Sequence, residues 1–234
     1  MKDEENFFKY TVDVFQHVYD KTTKQKNWQL WRNFDLFVVD LHNEIVEKCK
    51  ERLPESLTYQ RILDTIRTMW LVTFEICSGA YRSAMRNLRF ILESLIQAYY
   101  LDKEFPYEFA TEKIDRIDVD KLYGRHLILE KARMPPGIYT VYSDLSKYMH
   151  SSKAELEHMD EILMEEGMTP TIFVFDKSVF QGCHRVTLDA IEAITYVILN
   201  AFPEVKGSLK DLARKRDLEE AFTKSSQQLC LSLL

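Results

Sequence analysis

Glycine and proline are scarce in this chain of 234 residues, six of each. A many-stranded β protein uses them at its turns, and phosphate-cradling loops need glycines set close together, so their scarcity predicts long helices. The glycines Gly79, Gly124, Gly137, Gly167, Gly182 and Gly207 stand singly, which excludes P-loop, kinase and Rossmann readings. Cysteines are few and far apart: Cys49, Cys77, Cys183 and Cys230 form no pair at zinc-ligating or redox spacing and read as reduced, buried apolar residues. Glu-x-x-His occurs once, at Glu155 to His158, whereas a di-iron bundle needs two such motifs with supporting glutamates. No metal or cofactor is therefore expected. A nucleophile elbow is missing too, and Cys183 beside His184 reads as a chance neighbour. No stretch approaches the roughly 18 apolar residues of a membrane span, and Met1 to Tyr10 carries Lys2, Asp3, Glu4 and Glu5 where a leader would be basic and then apolar. The expectation is a cytoplasmic protein without a membrane contact. Formal net charge is −6, so the whole molecule repels a polyphosphate, nothing points to DNA, and any nucleic-acid role rests on a local patch.

Apolar residues are plentiful, at 46% of the chain, and they recur at helical spacing almost throughout. The expected fold is all-α: an antiparallel helical bundle, one domain over residues 1–234, with a core at 55–203, an N-terminal helical pair at 1–54 and a C-terminal helical addition. Phe8, Phe15, Val18 and Tyr19 form the stripe of a first helix over about 5–24, and Leu30, Phe34, Phe37, Leu41 and Ile45 that of a second. A third opens near Leu57 and aligns Ile62, Ile66, Met69, Trp70 and Phe74 toward the core; Ser78 and Gly79 break it. The fourth, running to about Leu101, aligns Met85, Leu88, Leu92, Leu95 and Tyr99. Residues 102–134 are charged and weakly periodic and predict short helices and loops. Further helices are predicted at 137–150 and 152–166, with a short extended piece at 171–175. Asp176 suits the N-cap of a long helix to about Phe202, and one polar helix from Ser208 to Phe222 closes the fold.

Two polar clusters carry the candidate chemistry. Arg82, Arg86, Arg89 and Glu93 fall within about 60° of one another on the fourth helix. Arginine's planar fork suits phosphate or carboxylate, and Glu93, one turn beyond Arg89, is placed to orient it. Tyr142, Ser146 and His150 follow at steps of four, so a phenol, a hydroxyl and an imidazole line one side of a helix. Such a set binds a phosphate or, along the Tyr142, Ser146 and His150 row, moves a proton, or else it is a salt-bridge and hydrogen-bond set that fixes helix register. Trp28 and Trp31, with Phe7, Phe8 and Tyr19 among Lys24, Lys26 and Arg32, match either base stacking or core packing, and packing needs no ligand.

The stretch Gly79-Ala-Tyr-Arg-Ser-Ala-Met-Arg-Asn-Leu-Arg-Phe-Ile-Leu-Glu93-Ser-Leu-Ile-Gln-Ala-Tyr-Tyr100, the string Tyr142-Ser-Asp-Leu-Ser146-Lys-Tyr-Met-His150 and the ending Asn200-Ala-Phe-Pro203 resemble a little-characterised prokaryotic helical family. That family is similar in turn to HEPN domains, helical bundles of toxin, abortive-infection and nucleotide-binding systems. The resemblance covers about residues 55–203. It implies a bundle in which Arg86 or Arg89, Glu93, Ser146 and His150 approach one another, and it implies a dimer. HEPN nucleases carry an Arg followed a short step later by a His; here Arg32 to His42 and Arg116 to His126 are too far apart, and Arg125 and His126 are adjacent. The HEPN ribonuclease spacing is therefore absent, which argues against that activity, while a site assembled from Arg89 and His150 on different helices stays open.

Two functions of different classes follow. One is a HEPN-like module of a defence or stress system that holds a nucleotide or RNA phosphate with Arg82, Arg86, Arg89, Glu93, Tyr142, Ser146 and His150. The other is a non-catalytic helical scaffold. Both are expected as homodimers, because the aromatic first helices and the apolar tail Leu229 to Leu234 offer more apolar surface than a monomer leaves bare.

Overall fold

Two side-chain caps set the ends of the principal helices. The Ser56 hydroxyl accepts from the Tyr59 amide at 3.2 Å, and one Asp176 oxygen accepts from the Ser178 and Val179 amides at 2.7 and 3.0 Å, each satisfying backbone donors that the first helical turn leaves orphaned. The computed structural model describes residues 2–25, 28–149, 175–225 and 227–230, and of residues 2–8, 10, 11 and 149 the backbone only. The predicted helix at 152–166, residues 171–174 of the extended piece, Glu155 to His158, His150, Lys26 and the last residues of the tail lie outside that description.

The α-helices, numbered along the described residues, are α1 (Lys2–Thr23), α2 (Gln29–Cys49), α3 (Leu57–Cys77), α4 (Tyr81–Glu104), α5 (Ala110–Val119), α6 (Pro136–Ser146), α7 (Lys177–Ala201), α8 (Leu209–Lys215) and α9 (Glu219–Lys224). Short 3-10 turns at Lys50–Arg52, Lys147–Met149 and Pro203–Ser208 and a π-helical turn at His126–Lys131 join them. Helix accounts for 82% of the described residues, which contain no strand. The fold is an all-α bundle.

At its centre, α4 packs against α3, α6 and α7. The turn between α3 and α4 is only Ser78, Gly79 and Ala80, with Gly79 at φ +79°; a turn this short reverses direction, making an antiparallel hairpin. One continuous core runs from Trp31 to Cys230 through Phe34, Phe37, Leu41, Ile62, Met69, Leu88, Leu92, Leu95, Ile191 and Ile194. It takes in α2 as well as the C-terminal helices, while α1 rests on α3 outside it. Trp31 is 1% exposed and donates its indole N–H to Thr187 Oγ1 at 3.3 Å. It is a core residue and presents no face to a base.

All four cysteines are buried free thiols. Burial pushes the Cys77 thiol up to about 11 and the Cys230 thiol up to about 12. The Cys230 amide also bonds Glu192 Oε1 at 2.8 Å, which ties the segment after α9 to α7.

The structure departs from sequence expectation in three places, the first being α1, whose stripe is expected to face the common core with that of α2 but lies outside it, with Tyr19 39% exposed. Trp70 and Phe74 were placed on the core stripe of α3, yet they are 65% and 53% exposed. The core stripe is Ile62, Met69, Val72 and Ile76, and each helical step turns by about 100°, so Trp70 directs its ring away from Met69. The expected helix from Ser208 to Phe222 is two helices, because Asp217 sits at φ +52° and turns the chain so that Leu218 and Phe222 enter the core.

Candidate functional site

Helix α4 carries the predicted arginine face past the C-terminal half of α6. Arg89 Nε donates to Ser146 Oγ at 3.1 Å, its Nη2 donates to the Tyr142 hydroxyl, and the same nitrogen lies 3.4 Å from Glu93 Oε2. The guanidinium also lies over the Tyr142 ring, 4.7 Å from its centroid, which adds cation–π attraction to the fork's hydrogen bonds. Ser146 in turn donates to the Tyr142 carbonyl at 2.7 Å, a helical i−4 bond that fixes its rotamer.

Glu93 is the second hub. Its Oε2 accepts from the Tyr142 hydroxyl at 3.3 Å and its Oε1 accepts from the Gly124 amide at 2.7 Å. Gly124 adopts φ +62° at this point, a conformation open to glycine without steric cost. One turn on, Gln97 donates to the Leu122 carbonyl at 2.7 Å, so α4 holds the loop before the π-helical turn at two points. Burial, followed by the Glu93 carboxylate, pushes the Tyr142 phenol above its ordinary value despite Arg89, and the phenol stays protonated as a donor.

Arg89, Glu93, Tyr142 and Ser146 are thus in direct contact. Arg82 does not join them: its Nε donates to the Tyr148 carbonyl at 3.1 Å, where a cation meets the carbonyl end of the α6 segment. Arg86 is exposed on the same side of α4, one turn before Arg89. His150 lies outside the described residues.

A second polar node has no counterpart in the sequence reading. Asp102, near the end of α4, accepts from the Ser56 hydroxyl and the Leu57 and Thr58 amides at 2.8, 2.9 and 2.9 Å. It also takes Lys113 Nζ at 2.8 Å, and that ammonium gives a further bond of 2.7 Å to the Glu55 carbonyl. Lys113 is 1% exposed. The node borders a cavity of about 360 Å³ lined by Arg52, Tyr99, Lys103, Asn200 and Phe202 among others. Helical periodicity gave no signal for it, because its members come from three separate helices and their caps.

Glu75, buried near the end of α3, is engaged by Ser83 Oγ at 2.5 Å and Asn87 Nδ2 at 2.8 Å from α4. Among the described residues no helix is long and apolar enough to cross a membrane. Set against known proteins, the chain matches no family model, no curated protein and no solved structure.

Proposed function

We propose that the chain is a HEPN-like helical binding module of the cytoplasm that holds a nucleotide or RNA phosphate on its α4–α6 face and works as a homodimer. The observation that supports the ligand is the state of Arg89. Three side chains fix its fork, yet it is 23% exposed and its Nη1 makes no hydrogen bond among the described residues. A pre-oriented donor of this kind loses little side-chain entropy when an anion arrives. Arg82 and Arg86 bring further positive charge to the same helix in a chain whose formal net charge is −6, and such local enrichment is what a phosphate contact needs.

One observation favours the scaffold reading: both Glu93 oxygens are occupied and the side chain is 15% exposed. A cluster that closes on itself holds α4, α6 and the Gly124 loop in register without any ligand.

Arg89→Ala separates the two. Binding of a labelled nucleotide and a short RNA is titrated at two salt concentrations, beside thermal melting of both proteins. The binding module predicts wild-type affinity that falls as salt rises, lost in the variant, with a melting temperature lowered by no more than a few degrees. A variant destabilised by about 3 kcal/mol or more, with a wild type that binds neither probe, makes the cluster a register lock and ends the phosphate reading.

A further inference from the structure

The exposed aromatic residues of α3 do not stand singly. Trp70, Leu71 and Phe74 share the outer face of α3 at 65%, 47% and 53% exposure. Phe74 stacks on Phe15 of α1 with centroids 5.5 Å apart, and Phe15 stacks on Tyr19 at 6.3 Å. Tyr19 and Val12, one turn to either side of Phe15, are 39% and 54% exposed. The six residues make one apolar face across two helices that touch each other.

We infer that this α1–α3 face is the surface on which a second copy of the chain docks, an inference that rests on the homodimer in the reading above and assigns it a place. Area supports a self-partner. With about 150–250 Å² for each aromatic side chain and the exposures given, the face leaves roughly 500 Å² bare. That is about as large as the largest apolar patch of an ordinary monomer. Two copies face to face remove roughly 1,000 Å² before any rim residue is counted, the lower bound for a specific interface. Pairing through one shared patch is also the usual geometry of a twofold dimer.

Charges of both signs border the face, the exposed Asp13 beside Val12 among them. Phe15 meets Phe74, and Thr22 lies against Tyr81 beyond the α3–α4 turn, so α1 and α3 run in the same direction across the face. The cations Lys9 and Arg67 flank the N-terminal end of the face, the Arg67 side chain 83% exposed with its Asp64 contact at 3.9 Å. Asp20 borders the C-terminal end. An antiparallel twofold brings the cations of each copy against Asp20 of the other. A parallel arrangement sets Arg67 of each copy toward the other's Arg67.

Light scattering and sedimentation equilibrium of the full chain over a micromolar concentration series test the assignment. Trp70→Glu is expected to raise the dimer dissociation constant at least about hundredfold, as loss of a central aromatic anchor does, with the helical circular dichroism signal unchanged. Arg67→Glu weakens the dimer by a smaller factor, and Arg67→Glu combined with Asp20→Lys restores it, a rescue that misfolding cannot imitate. Val119→Glu, at a site 78% exposed on α5, leaves association as it was. A monomeric wild type removes the homodimer reading and this face with it. A dimer that survives Trp70→Glu, or one that Val119→Glu dissociates, keeps the homodimer and overturns this face.

Discussion

Replacing Asp102 with alanine removes the acceptor for four donors at once. Two are the Leu57 and Thr58 amides at the start of α3, one is the Ser56 hydroxyl, and the fourth is the Lys113 ammonium. The ammonium sets the scale. At 1% exposure, Lys113 is buried and keeps only the Glu55 carbonyl, and orphaning one member of a buried pair costs about 3–5 kcal/mol. Loss of the capping bonds adds about 1 kcal/mol. The sum, about 4–6 kcal/mol, is comparable with the whole stability of many domains, which runs from about 5 to 15 kcal/mol. Asp102→Ala is therefore expected to be barely folded at room temperature. Lys113→Met leaves Asp102 with three donors and water at 19% side-chain exposure, so about 1–2 kcal/mol is lost. The informative protein is Asp102→Asn with Lys113→Met, which removes both charges. Its loss should be smaller than the sum of the Asp102→Asn and Lys113→Met single losses by at least about 1 kcal/mol, as in any cycle through a contacting pair. Urea unfolding followed by circular dichroism gives all four corners. An Asp102→Ala loss below about 1.5 kcal/mol, or a cycle that adds without coupling, would refute the view that this node ties α3, α4 and α5 together.

Gly124→Ala, which forces a Cβ into φ +62°, is expected to cost about 1–2 kcal/mol, and Gly124→Asn, a residue that tolerates this region, less than half of that; equal melting temperatures for the two variants would show that the conformation is not what glycine supplies. Asp35 has one carboxylate oxygen buried without a partner, and burial pushes its pKa from 3.8 up to about 6. The sign follows from which form the fold disfavours: below the unfolded value the group is protonated in both states and nothing is lost, while above about 6 the folded protein bears the full cost of ionising it. Asp35→Asn should thus gain about 1–3 kcal/mol at pH 7, with the gain gone by about pH 4; chemical denaturation at the two pH values giving the same difference would count against the assignment.

What the sequence made legible was whatever lies within one helix. The stripes of α2 and α4, the break at Ser78 and Gly79, the Asp176 cap and the Arg89–Glu93 step all follow from a period of 3.6 residues or from local capping chemistry, and the structure has each of them. The candidate cluster became a contact only through the α4–α6 packing, and Gly124, which fixes Glu93, gave no periodic sign at all. Trp70 and Phe74 show the same limit from the other side. Their spacing says that they share a face, but whether a face is covered depends on the neighbour, and α1 covers only part of it. Asp102 is less visible still, since it caps a helix that begins 45 positions earlier, and no local rule pairs a carboxylate with amides so remote. Asp217 likewise breaks a run whose apolar spacing reads through it.

The buried thiols make this molecule its own unfolding clock. Cys49 closes α2, Cys77 closes α3, Cys183 lies early in α7 and Cys230 lies in the segment after α9. A thiol sealed in apolar surroundings, with its thiolate disfavoured, reacts with an alkylating reagent only while its cover is open. Tracking by mass spectrometry which of the four is tagged first would rank the parts of the bundle by how often each opens, with no residue changed.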